Sequence, residues 1–253
     1  MMGHALITAG TSGLGKQVVK KFLEAGHKVT TTYHTNADKA QVLQKEFASY
    51  SQSLYIEKTD VTRKKDIVNL VNRAVDHHGG IDYLINNAGP FVFERKKLLD
   101  YSDDEWHEMM NGNLNAVFYL LKETLPHMRK RGFGRIVNYG FQEANNASGW
   151  PYRAAFAAAK SGLVSLTKTI AIEEAENQIT SNMVCPGNIV GDMKEAEIEE
   201  SRQVNGDKTP IGRPGTGEDI ARAILYLCDH NSDMITGSIF EITGGIDVIN
   251  RYR

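Results

Sequence analysis

The stretch Ala5-Leu6-Ile7-Thr8-Ala9-Gly10-Thr11-Ser12-Gly13-Leu14-Gly15 decides the fold. Its first four residues form a short, bulky apolar run of the kind that makes a buried strand. Glycines follow at 10, 13 and 15. Apolar residues then recur at 14, 18, 19, 22 and 23, the spacing of a helix that buries one face. Strand, glycine turn and helix in that order open a nucleotide-binding βαβ unit. The glycines permit a tight turn and a close approach of backbone N–H groups to a pyrophosphate, and the helix N-terminus adds positive potential. Glycine turns between strand and helix are also ordinary structural features, so the rest of the chain must carry the functional reading.

With 253 residues, 41% hydrophobic and 24% charged, the chain can build a substantial core in one α/β domain over 1–253, whereas two full domains would be cramped. A formal net charge of −2 gives no electrostatic reason to expect nucleic acid or an anionic membrane as partner. Cys185 and Cys228 lie far apart and form no C-x-x-C, which predicts two buried thiols rather than a disulfide framework or a zinc site; no metal is expected. No run approaches the length of a membrane span, and Met1-Met2-Gly3-His4 leads straight into the first strand. A soluble, cytoplasmic protein is expected.

The glycine pattern is G-x-x-x-G-x-G after Thr8. It resembles the T-G-x-x-x-G-x-G signature of the short-chain dehydrogenases/reductases, with Ala9 where that family usually has glycine. Further matches follow in order: Asn86-Asn87-Ala88-Gly89 after an apolar run over 81–85, Gly134-Arg135-Ile136-Val137-Asn138, Lys160-Ser161-Gly162, Cys185-Pro186-Gly187-Asn188-Ile189 and Thr243-Gly244-Gly245. The resemblance covers essentially the whole chain and is strongest to 3-oxoacyl-(acyl-carrier-protein) reductases. It implies a single Rossmann-type domain, a doubly wound parallel sheet of about seven strands with helices on both faces. It also implies an oxidoreductase with a small-molecule or acyl-thioester substrate, assembled as a homotetramer or homodimer.

The same resemblance places cofactor contacts at Gly10, Ser12, Gly13, Leu14 and Gly15, at Tyr33 and His34, and at Asp60 and Val61. It adds Asn87, Ala88 and Gly89, then Lys160, and finally Pro186, Gly187 and Ile189. The β-branched, aromatic run over 28–33 reads as a second strand. It ends Tyr33-His34-Thr35-Asn36, with no carboxylate until Asp38, where an NAD-specific site would place an acid for the ribose 2′-OH. Hydroxyl, imidazole and amide groups with Lys39 nearby suit a 2′-phosphate, so NADP(H) is favoured over NAD(H). No arginine clamp is visible, since Ser12 stands where many NADP-dependent relatives have one. Asp60-Val61-Thr62 has two readings: a start signal for the helix over 64–78, or the family's adenine-side contact.

A helical stretch over 103–131 begins at Ser102 or Asp103 and contains Pro126. Within it Asn113 is either a solvent-facing residue or, between Met109, Met110, Val117 and Phe118, an inward one matching the family's mid-helix asparagine. The family's catalytic serine and tyrosine fall on Phe141 and Phe156, four residues before Lys160. A phenyl ring can neither donate nor accept a proton, while Lys160 keeps its ammonium donors. Tyr152, after Pro151 and one turn before Phe156, is expected in the first helical turn, as an aromatic wall or as a replacement donor. Tyr139 and Gln142 border the serine position. The charged stretch over 194–208 reads as part of a substrate lid around 190–212, or as a plain solvated helix. Catalytic candidates are therefore Asn113, Lys160 and Tyr152. Two functions follow: a reductase with a non-standard active site, or a catalytically impaired cofactor-binding paralogue serving as a regulatory or partner subunit.

Overall fold

A computed structural model describes residues 2–91, 94–206 and 209–246. The opening apolar run is strand β1 (His4–Ile7), buried along its length, and the periodic stretch after the glycines is helix α1 (Gly13–Glu24), which buries Val18, Val19, Phe22 and Leu23. There follow β2 (Lys28–Tyr33), α2 (Ala37–Glu46), β3 (Leu54–Lys58), α3 (Lys64–His78) and β4 (Tyr83–Asn86). The second half comprises α4 (Asp103–Met110), α5 (Ala116–Arg131), β5 (Gly134–Tyr139), α6 (Ala154–Glu173), β6 (Ile179–Pro186), α7 (Ile198–Ser201), α8 (Gly217–Cys228) and β7 (Ile239–Ile242).

The strands form one seven-stranded sheet in the order β3-β2-β1-β4-β5-β6-β7. Every pairing is parallel. One apolar layer under the sheet takes residues from α3, α5 and α6, and the other takes them from α1, α2 and α8. With both faces covered, the central strands β1 and β4 are short, nearly continuous apolar runs rather than alternating ones, which is why stretches such as Ala5-Leu6-Ile7 are readable. Because all strands run one way, their carboxyl ends share one edge. The chain leaves β1 toward β3 and returns to β4 on the other side of β1, so the crevice of this fold opens between the ends of β1 and β4.

Several local expectations change. The stretch 103–131 is two helices joined by a π-helical turn over Asn111–Asn115, started by Ser102, whose hydroxyl caps Glu105 N–H in a capping box. Pro126 lies inside α5, which ends at Gly132 in the left-handed region. Asp60 does not cap α3: its carboxylate accepts from Thr62 N–H at 3.0 Å and Thr62 Oγ1 at 2.7 Å, closing its own turn. Tyr152 is not in a first helical turn. Its φ of +67° is left-handed, and α6 starts two residues later. The charged stretch after 194 is no single helix but a 3₁₀ turn, Gly191–Lys194, and the short α7. Its last residues, Asp207 and Lys208, lie outside the described residues. Cys185 and Cys228 are both buried and neither forms a disulfide.

Candidate active site

The turn from β1 into α1 is fastened to the end of β4 by one hydroxyl and one amide. Thr8 Oγ1 accepts from the backbone N–H of Asn87 at 3.1 Å and of Ala88 at 2.9 Å. Asn87 Nδ2 donates back to the carbonyls of Thr8 at 3.0 Å and Ala9 at 3.1 Å. On the other flank Ala9 N–H donates to Thr32 Oγ1 of β2 at 2.9 Å, and Ala9 has a φ of +54°. Gly15 fits into this clasp because it has no side chain: a Cβ there would stand 2.5 Å from Asn87 Nδ2 and 2.6 Å from Ala9 O. Gly10 is equally confined, with Thr31 Oγ1 2.2 Å from a hypothetical Cβ.

Gly13 is different. Its φ is +62°, and nothing lies within 4 Å of where a Cβ would project. Space on the Cβ side of Gly13 is therefore open, and the helix terminus there is positive. A cramped floor with an open, amide-lined face suits a diphosphate. Ser12, at the N-cap, makes no side-chain cap bond, and α1 has no acid in its first turn. Leu14 packs partly against the α1-side apolar layer.

The remaining sequence-selected residues lie along the same edge. Tyr33 ends β2 half-buried and His34 follows it exposed, with its Nε2 3.6 Å from Asp60 Oδ2 beyond β3. Burial pushes the Asp60 carboxyl up, but the two bonds from Thr62 outweigh it and hold the group below its ordinary range. Val61 packs on the core. Gly89 is pinned by Asn113, whose Oδ1 would be 2.3 Å from a Cβ at that glycine. Asn113 is inward: it is buried in the π turn and donates through Nδ2 to Pro90 O at 2.9 Å and Met109 O at 3.1 Å. Its Oδ1 is buried without a partner among the described residues. Pro186 ends β6, Gly187 stands against Thr243 of the β7 end, and Ile189 is buried.

Beyond β5 the edge becomes aromatic. Phe141 and Phe156 face each other with centroids 6.0 Å apart, and Trp150 lies 5.3 Å from the first and 5.9 Å from the second. Phe91 closes the group at 5.1 Å from Phe156, edge to face. Lys160 follows Phe156 by one helical turn, its Nζ 5.6 Å from that ring's centroid. It is 4% exposed, and burial lowers its ammonium to about 8. Tyr139 does not join this cluster. Strand alternation turns it into the opposite apolar layer, where burial raises its phenol far above the ordinary range. Tyr152 lies at the rim, with the Arg95 guanidinium 4.5 Å over its ring and its carbonyl accepting from Tyr101 Oη at 3.3 Å.

One charged side chain at this edge is absent from the sequence candidates. Glu195, after the 3₁₀ turn, accepts from Gly13 N–H through Oε1 at 2.7 Å, and its Oε2 is 3.2 Å from Lys16 Nζ. Partial burial pushes the Glu195 carboxyl up, but the Gly13 N–H and Lys16 outweigh it and hold the group below its usual range. No local pattern could have paired residues so distant in sequence. Phe91 and Trp150 were missed for the same reason. The hydroxyls of Thr31 and Thr32 were legible only as strand formers.

Known proteins share this fold and much of this sequence. A family model described as enoyl-(acyl carrier protein) reductase matches residues 8–247. The chain is 57% identical to the Bacillus subtilis protein named "Putative oxidoreductase YtkK", over 99% of this chain and 98% of that one. It is 33% identical to the 3-oxoacyl-[acyl-carrier-protein] reductase FabG of Haemophilus influenzae, over 96% of this chain and 97% of that one. Among solved structures, a Bacillus thuringiensis protein described as a "putative 3-oxoacyl-reductase" superposes with a TM-score of 0.93 at 58% identity, covering 99% of this chain and 100% of that one. ElxO with NADP bound superposes with a TM-score of 0.84 at 30% identity, covering 97% and 99%. A parallel sheet with its crevice between β1 and β4, matched along nearly its whole length by these oxidoreductases, belongs to the short-chain dehydrogenase/reductase family.

Proposed function

We propose that this chain is an NADP(H)-dependent reductase of carbonyl groups, with 3-oxoacyl thioesters as its substrate class, working from a non-standard active site. The observation that carries the reading is the clasp between β1 and β4, which sets the glycine turn and the positive N-terminus of α1 at the mouth of the crevice. The Haemophilus FabG, the Bacillus thuringiensis 3-oxoacyl-reductase and the NADP-bound ElxO support it as relatives. Tyr33 and His34, with no acid at the end of β2, favour the 2′-phosphate of NADP(H) over the free hydroxyl of NAD(H).

A bound dihydronicotinamide supplies a hydride to the carbonyl carbon, and the chain must supply the proton to the carbonyl oxygen. Gly10, Ser12, Gly13, Leu14 and Gly15 take the diphosphate side, Asp60 and Val61 the adenine side, and Asn87, Ala88 and Gly89 the middle. Pro186, Gly187 and Ile189 flank the nicotinamide side. Lys160 holds ribose hydroxyls through its ammonium, while Asn113 orders the turn beside Gly89. Phe141 and Phe156 occupy the places of the family's serine and tyrosine. The proton then comes from Tyr152 or a bound water, without the usual phenol.

The test is titration with NADPH and NADH separately, followed by NADPH oxidation against a carbonyl panel that includes acetoacetyl thioesters. Ligand at about 100 times Kd adds nearly 3 kcal/mol to stability, so a thermal shift accompanies binding. Lys160→Ala should abolish both cofactor protection and turnover, whereas Tyr152→Phe should cut turnover alone. Unchanged turnover in Tyr152→Phe removes Tyr152 as donor. No binding of either dinucleotide refutes the reading.

The aromatic cluster around Lys160 favours a second reading, a catalytically impaired paralogue that binds the cofactor as a regulatory or partner subunit. Binding without turnover, with an intact paralogue co-purifying from the native cell, would select it. Under either reading we place the protein in the cytoplasm, and under the first as a homotetramer or homodimer. No helix among the described residues is long and apolar enough to cross a membrane.

A further inference from the structure

We infer that Glu195 is a built-in counter-anion that competes with the dinucleotide's diphosphate for the N-terminus of α1, coupling cofactor binding to release of the strap over 191–201. This rests on the proposed dinucleotide site, and concerns how the chain regulates it.

The strap lies along α1 through a row of polar contacts. Glu195 takes Gly13 N–H and Lys16, its backbone carbonyl accepts from Gln17 Nε2, and Glu197 pairs with Lys20. At its far end Ile198 N–H donates to Glu218 Oε2 at 2.7 Å, while Glu218 pairs with Lys21 at 3.0 Å. Gly217 is pressed against the strap: a Cβ there would be 2.1 Å from Lys194 O. Of these contacts, only that of Glu195 reaches the helix terminus itself. It satisfies a donor that α1 leaves open, because Ser12 makes no cap bond and the first turn carries no acid.

The same terminus is where a diphosphate would be held, and two anions there repel one another. Lys16 does not neutralise the excess by itself, since Glu46 also engages it at 2.8 Å. The diphosphate and the Glu195 carboxylate therefore favour different arrangements of the strap. A ligand that weakens the Glu195 contact loosens the strap, and loosening the strap strengthens the ligand by the same factor. Sequence patterning alone read this stretch as a lid or a solvated helix. The contacts make it a latch whose bolt is Glu195.

The experiment measures NADPH binding by fluorescence titration in the wild type, Glu195→Gln and Glu199→Gln, with hydrogen exchange of the strap amides as a second readout. Glutamine keeps an acceptor for Gly13 N–H and removes the charge. Glu199, paired with Arg202, gives the same charge change on the same strap away from α1. Glu195→Gln should bind NADPH about three- to tenfold more tightly at low salt, a gain that shrinks at 1 M salt as screening shortens to about 3 Å. Glu199→Gln should match the wild type. Strap amides should exchange faster in Glu195→Gln, and faster in the wild type once NADPH is added. Equal or weaker binding by Glu195→Gln overturns the latch alone, as does exchange that NADPH slows in the strap. Failure of all three proteins to bind NADPH or NADH removes the dinucleotide site and the latch with it.

Discussion

Gly15→Ala tests whether the β1–β4 clasp is as tight as its geometry states. The added methyl would lie 2.5 Å from Asn87 Nδ2, 2.6 Å from Ala9 O and 3.0 Å from Gly10 Cα, all well inside contact distance. Two of the three are backbone atoms of the turn after β1, which the clasp holds, so the Asn87 side chain is the one that yields. Its bonds to Thr8 O at 3.0 Å and Ala9 O at 3.1 Å are then lost. Overpacking costs roughly 1–3 kcal/mol and each lost bond about 1 kcal/mol, so a loss of about 3 kcal/mol is expected. In a chain of this size that lowers Tm by roughly 6–12 °C. The control is Gly13→Ala, where a Cβ meets nothing within 4 Å and the φ of +62° alone exacts a penalty of about 1 kcal/mol. Thermal unfolding followed by circular dichroism ranks the two variants directly. A Gly15→Ala protein as stable as Gly13→Ala would refute the claim that the clasp leaves no room.

Burial lowers Lys160 to about 8, so between there and its ordinary 10.5 the unfolded chain holds the extra proton and stability rises with pH. Lys160→Met should raise Tm at neutral pH and flatten that rise; a lower Tm with the slope intact contradicts the assignment. His4 and His78 are both lowered to about 4 from 6.5, first by burial and then by neighbouring histidines, so stability falls as pH drops through that window. The Nε2 of His78 is buried without a partner among the described residues, and His78→Leu should therefore lose less Tm than the wild type on acidification from 6.5 to about 4. An equal loss would show that other groups set the acid limit. Phe156→Tyr returns a phenol to the turn preceding Lys160 and should raise reduction of an acetoacetyl thioester by about 10²-fold. Unchanged turnover would mean that Phe156 does not stand at the proton-donor place.

Sequence periodicity reports what a segment does locally, and it served well where burial dictates pattern. The helix over 64–78 is α3 as read, and the apolar runs of β1, β4 and β5 survive because both sheet faces are covered. It served less well where a side chain chooses among partners. Asp60 had two plausible tasks on paper, and its bonds to Thr62 exclude the helix cap. Tyr152 was given a helical φ that the chain does not adopt, because the turn after Pro151 reverses before α6 begins. Glu195 was invisible, since its partner Gly13 stands 182 positions earlier and nothing in its own neighbourhood marks it. The inward side of Asn113 was decided by Pro90 and Gly89, not by its helical neighbours.

The two ends of the crevice are held by different kinds of interaction, and that difference explains how a chain can keep one and alter the other. The β1–β4 end depends on backbone: Thr8 and Asn87 bond each other's main-chain segments, Ala9 N–H bonds Thr32 Oγ1, and a Cβ at Gly10 or Gly15 would come within 3 Å of its neighbours. A change there disturbs the sheet, as the Gly15→Ala prediction states. The β5–α6 end depends on exchangeable rings. Phe141 and Phe156 meet Trp150 and Phe91 through side chains alone, while the local framework is held independently by Asn86 Nδ2 donating to Asn138 at 2.7 Å and Asn138 Nδ2 donating to Thr167 at 2.9 Å. Swapping hydroxyls for phenyl rings at 141 and 156 leaves that polar chain untouched, and the rings add apolar burial. Exchange of rings at the β5–α6 end therefore leaves the clasp between β1 and β4 in place. The two proposed readings are for that reason told apart only by measurements that read cofactor binding and turnover separately.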